Sequence, residues 1–160
     1  GGGPMRCKER LDRFLREAGV THEYQRHPAA FTAQEVAAAE HLPGRMLAKV
    51  VIVVADEALA MAVVPAPARV DMDKVRTALG ADEARVAREG EFAEAFSDCD
   101  VGAMPVFGNL YDVPVLVDLD LARNETIVSQ AGSHTETVSV SYADFEQLVK
   151  PKVVDLTVHA

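Results

Sequence analysis

Tryptophan is absent from this chain, and aromatic residues make up only 6% of its 160 positions. The core must therefore be aliphatic: 49% of the residues are hydrophobic, which implies a folded domain and excludes a disordered chain. No apolar run approaches the ~20 residues of a membrane span; the longest, Val50–Ala55, is strand-sized. No basic stretch precedes an apolar one in the manner of a secretion signal, so a cytoplasmic protein without a membrane partner is expected. Gly1–Pro4 reads as an expression remnant ahead of a natural start at Met5, leaving 5–160 as a single domain.

Cysteine is scarce as well. Cys7 and Cys99 show neither CxxC spacing nor a metal pattern with histidine, and they read as free thiols in a reducing compartment. None of the five histidines falls in an HExxH or His-x3-His arrangement, so no metal and no cofactor are expected. A Gly-x-Ser-x-Gly elbow is missing, as is any ordered Ser/His/Asp or Cys/His set. Cys99 lies between Asp98 and Asp100, whose carboxylates oppose thiolate formation and disfavour a nucleophilic role.

Positive charge is also in short supply, with a net charge of −9. That excludes broad, sequence-independent binding to long nucleic acid, DNA included. The balance is uneven: residues 1–80 carry 11 Lys+Arg against 10 Asp+Glu, and residues 81–160 carry 5 against 15. Arg6, Lys8, Arg10, Arg13 and Arg16 cluster in the first helical segment, with Arg26 and Arg45 further on. Such a face is either solvated surface or a small contact for a polyanion.

What is present is a mixture of helical and strand patterns. Arg6–Ala18 has an apolar face of Leu11, Phe14, Leu15 and Ala18 and closes at Gly19. A strand is expected over Val20–His27, and Thr32-Ala-Gln-Glu35 is a capping box for a helix over Ala33–Glu40. Met46–Ala55 and Ala58–Val64 form a hairpin-like strand pair joined by Asp56-Glu57. Asp71 caps a helix over Met72–Leu79 that closes at Gly80. A short strand at Ala84–Ala87 and a short helix at Glu91–Phe96 follow, then strands at Val113–Leu119, Thr126–Ala131 and Thr137–Ser141. The last helix, Tyr142–Val149, stops before Pro151. Without regular βαβ alternation this is an α+β domain on a mostly antiparallel or mixed sheet.

Three features carry the chemistry. Gly102-Ala-Met-Pro-Val-Phe-Gly-Asn-Leu-Tyr111 holds two glycines and a proline; it is either an ordinary turn or a loop whose N–H groups face a ligand. Lys49 precedes five consecutive apolar β-formers. It either snorkels from an edge strand or serves as a pocket lysine for a carbonyl or phosphate. Gln130-Ala-Gly-Ser-His-Thr135 is a turn carrying a histidine, exposed or part of a site.

In this order, together with Phe31-Thr-Ala-Gln-Glu-Val-Ala37 and Tyr142-Ala-Asp-Phe145, these segments resemble the YbaK/prolyl-tRNA-synthetase-associated editing domain over Leu11–Val149. The resemblance implies a mixed, barrel-like β-sheet surrounded by helices. It also implies a free-standing hydrolase that deacylates mischarged aminoacyl-tRNA, such as tRNA-Pro or a related tRNA carrying a small wrong amino acid. A non-catalytic tRNA- or synthetase-binding module of the same fold is the alternative, and hydrolysis of another small ester is a third reading. Lys49 and Gly102 match the family's lysine and the first glycine of its Gly-x-x-x-Pro loop and are the expected catalytic residues. Val106 stands at the register of that loop's proline, and Val50 stands where many members have Asn. Phe31, Thr32, Met46, Val50, Ala103, Met104, Pro105, Ser133 and His134 are the expected substrate-binding residues. The implied partners are the acceptor end of aminoacyl-tRNA and an aminoacyl-tRNA synthetase. An activated ester needs only a polarised carbonyl and an attacking water or ribose hydroxyl, so the absence of a nucleophile fits.

Overall fold

Asp56 and Glu57 both take left-handed backbone, with φ of 46° and 72°, and turn the longest apolar run back on itself. A two-residue turn of this hand matches the twist of its flanking strands. The computed structural model describes residues 6–159; the expected remnant Gly1–Pro4 and the expected start at Met5 lie outside them. In the hairpin, β2 (Ala48–Ala55) pairs antiparallel with β3 (Ala58–Pro65) from Ala48↔Pro65 to Ala55↔Ala58. Alternate residues of β2 face opposite cores. Ile52 and Val50 pack into the main cluster, while Val53 and Val51 pack with Val75, Leu116 and Leu156 on the other side. Burial on both faces is why the strand reads as unbroken apolar residues.

Beside β3 lies β5 (Val115–Asp118), in parallel, and β8 (Lys152–Val154) extends β5, also in parallel. With β4 (Ala84–Val86) on the free side of β2, the five-stranded order is β4-β2-β3-β5-β8. A second sheet has the order β1-β7-β6, from β1 (His22–Arg26), β7 (Glu136–Ser141) and β6 (Thr126–Ser133). The sheets meet at one parallel bridge, Leu47↔Val128. The fold is α+β as expected, and its two mixed and antiparallel sheets join without closing into a barrel.

Among the described residues six helices cover these sheets: α1 (Cys7–Glu17), α2 (Ala33–Ala39), α3 (Met72–Leu79), α4 (Glu89–Phe92), α5 (Leu119–Ala122) and α6 (Tyr142–Val149). Caps explain where several begin. Thr32, Asp71 and Ser141 accept amide bonds from the first turns of α2, α3 and α6. Phe107, fully buried, sits at the centre of the main core; Phe14 of α1 meets it edge-on at 6.2 Å and Phe145 of α6 at 5.8 Å. Neither α5 nor β8 is among the expected elements. Buried Asp118 caps α5 and also accepts the amide of Leu156 at 2.8 Å, fixing the chain just after β8.

The expectation of free thiols is overturned. Cys7 and Cys99 are joined in a disulfide, 92 positions apart in sequence, with Cα atoms 4.8 Å apart. The cause is tertiary: the N-terminus of α1 packs on β6, and residues 98–100 run between them, with the Cys7 amide donating to the Asp98 carbonyl at 3.0 Å.

Candidate active site

The loop between α4 and β5 is anchored from below. Ala103, Met104, Pro105, Val106 and Phe107 are buried, whereas Gly102 is exposed with φ +83°. Gly108 also belongs to the core. A Cβ there would lie 2.6 Å from Val115 Cγ2, so this glycine serves close packing and does not frame a ligand. From the side, β6 braces the loop: Asp100 N–H donates to the Gly132 carbonyl and Gly132 N–H to the Ala103 carbonyl, both at 2.9 Å. Gln130 Nε2 donates to the Gly102 carbonyl at 3.2 Å. With that carbonyl held, the amides of Gly102 and Met104 have no hydrogen-bond partner among the described residues. Unpaired backbone amides in a braced turn are groups that can receive negative charge.

His134 arrives from the β6–β7 hairpin, whose two-residue turn is His134-Thr135 between paired Ser133 and Glu136. Here β6 runs two residues further than expected, through a bulge, so Gly132 and Ser133 belong to the strand. Ser133 Oγ lies 3.2 Å from Thr135 Oγ1 across the turn tip. The segment from His27 to Phe31 is strapped along this hairpin: His27 N–H donates to the Thr135 carbonyl at 2.9 Å and Ala30 N–H to the His134 carbonyl at 3.0 Å. The strap places the Phe31 ring 4.7 Å from the His134 ring, while Phe31 stays 66% exposed. A Cβ on Gly102 would be 3.8 Å from His134 Cε1. His134 Nδ1 is buried and unpartnered among the described residues. Phe31, Gly102, Ser133 and His134 are thus gathered at one place, with Ala103 and Met104 supplying backbone beneath them.

Lys49 lies elsewhere on β2. It shares the face of Val51 and Val53, opposite to the face that carries Val50 into the main core with Met104. Its ammonium donates to the Ala68 carbonyl at 2.6 Å with no carboxylate partner among the described residues, and burial pushes its pKa down. Met46, half-buried, ends the 3-10 turn Gly44–Met46. The Thr32 hydroxyl is committed to capping α2 through the Glu35 amide.

Two contributors went unrecognised in the sequence. Gln130, the anchor of the Gly102 carbonyl, was visible as a polar residue inside an apolar strand. Behind the strap, Glu40 accepts the Thr137 hydroxyl at 2.8 and 2.9 Å and faces His27 Nε2 at 3.6 Å. Burial pushes the Glu40 carboxyl up, against the opposing pull of Thr137 and His27. His27 Nδ1 meets the Pro28 carbonyl at 2.8 Å. No signal in the sequence linked these three residues.

The cations of α1 are largely engaged: Lys8 with Glu136, Arg10 with Asp98, Arg13 with Glu17 and Arg16 with Asp12. Arg6, Arg26 and Arg45 hold no ion pair among the described residues. A wide groove beside the β2–β3 turn is lined by Asp56, Glu57, Asp82, Glu83 and Glu91 with Arg76 and Arg85, and acidic side chains outnumber basic ones there. No described helix is long and apolar enough to cross a membrane.

The structure is a small α+β domain in which a braced glycine loop stands beside a histidine hairpin. The sequence matches the aminoacyl-tRNA editing domain model over residues 27–148, and the chain belongs to that family. Its fold is similar to that of a crystal structure described as "a putative trans-editing enzyme for prolyl tRNA synthetase", at 21% identity and a TM-score of 0.84, covering 98% of this chain and 100% of that one. It is also similar to a hypothetical protein at 19% identity and a TM-score of 0.85, covering 94% of this chain and all of that one. A Marinobacter aquaeolei protein described as acting in signal transduction shares the fold at 17% identity and a TM-score of 0.71; 94% of this chain aligns with 30% of that one. Comparison with curated proteins finds no match. Family membership ties the chain to the editing of aminoacyl-tRNA.

Proposed function

We propose that the chain is a trans-editing hydrolase that cleaves the ester of a mischarged aminoacyl-tRNA, tRNA-Pro or a related tRNA carrying a small wrong amino acid. The observation that carries this reading is the pair of unpartnered amides at Gly102 and Met104 in a loop braced by Gly132 and Gln130. Attack of water or of the vicinal ribose hydroxyl on the ester carbon puts negative charge on the carbonyl oxygen, and the two amides receive it. The loop that carries them is braced, so the transition state gains with little reorganisation. Phe31 offers an exposed aromatic face to the substrate, and His134 beside it orients the ester or the attacking water. Lys49, which lies apart from the Gly102–His134 cluster, acts away from the ester and holds a terminal phosphate after exchanging its bond to the Ala68 carbonyl for one to the anion. Val50 and Met46 bound the space for the amino-acid side chain. Pocket fit discriminates only about 10–200-fold per methylene, so a tRNA or synthetase contact supplies the remainder.

Single-turnover deacylation of a panel of mischarged tRNAs tests the reading. The expected result is amino-acid release well above the spontaneous rate for at least one small amino acid. Gly102→Val should lower that rate about 10²–10³-fold with little change in tRNA affinity. Binding without release across the panel would assign a non-catalytic tRNA-binding module. Equal loss of rate and affinity in Gly102→Val would make the loop a docking element.

A further inference from the structure

The disulfide lies under the candidate site. Cys99 is three residues from Gly102, and Cys7 presses on Gly132, where a Cβ would meet both the Cβ and Sγ of Cys7 at 2.7 Å. Gly132 in turn exchanges hydrogen bonds with Asp100 and Ala103 on either side of Gly102. One covalent bond thus joins α1, the β6 bulge and the glycine loop at a single point. The sulfurs differ in access, since Cys7 is 2% exposed while Cys99 is half-buried. The Tyr111 hydroxyl stands against both, 3.3 Å from Cys7 Sγ and 3.2 Å from Cys99 Sγ, and also donates to Asp98 at 2.9 Å.

We propose that Cys7–Cys99 is a reversible redox modification site, opened by thiol–disulfide exchange at Cys99, that sets the geometry of the Gly102 loop. A thiolate of a small dithiol attacks Cys99 Sγ and forms a mixed disulfide. The electron pair of the broken bond leaves with Cys7 as a thiolate, which accepts a hydrogen bond from Tyr111 and then a proton. The second thiol of the reagent displaces Cys99, which is also protonated. The dithiol departs as a cyclic disulfide, having given two electrons and two protons to the protein. A low-molecular-weight disulfide reverses the sequence and departs as two thiols.

Once unbonded, the sulfurs must separate by more than about 1 Å to reach van der Waals contact. Cys7 is already flush against Gly132 and cannot retreat into β6, so the displacement passes to Cys99 and along Asp100–Ala103. The Asp100–Gly132 bond is the first to stretch, and the braced turn loosens.

Hydrogen–deuterium exchange on the wild-type protein, oxidised against dithiothreitol-reduced and without tRNA, tests this independently of any catalytic role. Maleimide should add no label before reduction and two after it. The hydrogen-bonded amides of Cys99, Asp100, Ala103 and Gly132 should exchange at least about tenfold faster in the reduced form while the β2–β3 hairpin is unchanged. The double variant C7S/C99S should show the reduced rate under both conditions. Two labels without reductant under air, or identical exchange of the Cys99, Asp100, Ala103 and Gly132 amides in both forms, would overturn the proposal, and either reading needs only the wild-type protein.

Discussion

Gly132→Ala is the substitution whose cost can be worked most directly from the geometry. The new methyl would sit 2.7 Å from two atoms of Cys7, a separation at which something must move. Cys7 has little freedom to yield: it is bonded to Cys99, and its amide is held by the Asp98 carbonyl. Overpacking of this kind costs about 1–3 kcal/mol. The backbone adds its own penalty, because φ at Gly132 is +101°, and non-glycine residues there pay about 1–3 kcal/mol. At about 2–4 °C per kcal/mol for a domain of this size, Tm should fall on the order of 10 °C. Gly102→Ala is the internal control. Its φ of +83° carries similar strain, but its Cβ would meet only His134 Cε1, at an ordinary 3.8 Å. It should therefore lose about half as much, and the difference between the two variants isolates the contact with Cys7. Thermal melts followed by circular dichroism under identical oxidising buffer decide it. A Gly132→Ala melt within about 2 °C of wild type, or one no lower than Gly102→Ala, would refute the reasoning.

Other outcomes follow from single contacts. Asp12 accepts the Tyr24 hydroxyl at 2.7 Å and meets His22 Nε2 at 2.9 Å, and these bonds hold its carboxyl below the usual 3.8. A depressed carboxylate stabilises above its unfolded pKa and stops doing so as pH falls through its folded pKa. The wild-type advantage over Asp12→Ala in urea unfolding should thus be about 1–3 kcal/mol at neutral pH and shrink steadily below pH 3.8, and a constant gap would contradict it. Lys49→Met keeps the aliphatic stem and removes an ammonium that burial disfavours, so Tm should stay within about 2 °C while deacylation falls at least about 100-fold; near-normal turnover would remove Lys49 from the site. With α1's arginines engaged, Arg13→Ala should leave tRNA affinity unchanged. Arg45→Ala should make a slope of about −1 to −3 in log K against log salt shallower by about 0.7–0.9, and equal effects of both variants would place the contact on α1.

Much of the fold was legible because its signals are local. Asp71 and Gly80 bound α3 at both ends as read, the Asp56-Glu57 turn closed the expected hairpin, and Tyr142–Val149 is a helix as drawn. The parallel pairing of β5 between β3 and β8 was not legible, since it depends on which chains meet at Leu116 and Val117. In the candidate site, the glycine loop and the histidine turn were visible as turn chemistry, and their juxtaposition with Phe31 needed the strap from His27 to Phe31. The cysteines misled for the same reason. Spacing along the chain carries no information about two sulfurs brought together by α1 docking on β6.

The pairing of β1 with β7 has a consequence during synthesis. His22 pairs with Val140 and Arg26 with Glu136, so the first strand waits for a partner over a hundred positions downstream. At about 5–20 residues per second, that wait lasts on the order of ten seconds. Through that interval β1 offers two unpaired backbone edges, the condition that invites pairing between nascent chains. Its sequence, His-Glu-Tyr-Gln-Arg, is the most polar of the strands among the described residues and holds no aliphatic residue. A strand that must stand alone for so long is kept soluble by its side chains and commits to the sheet only when the apolar face of β7 arrives.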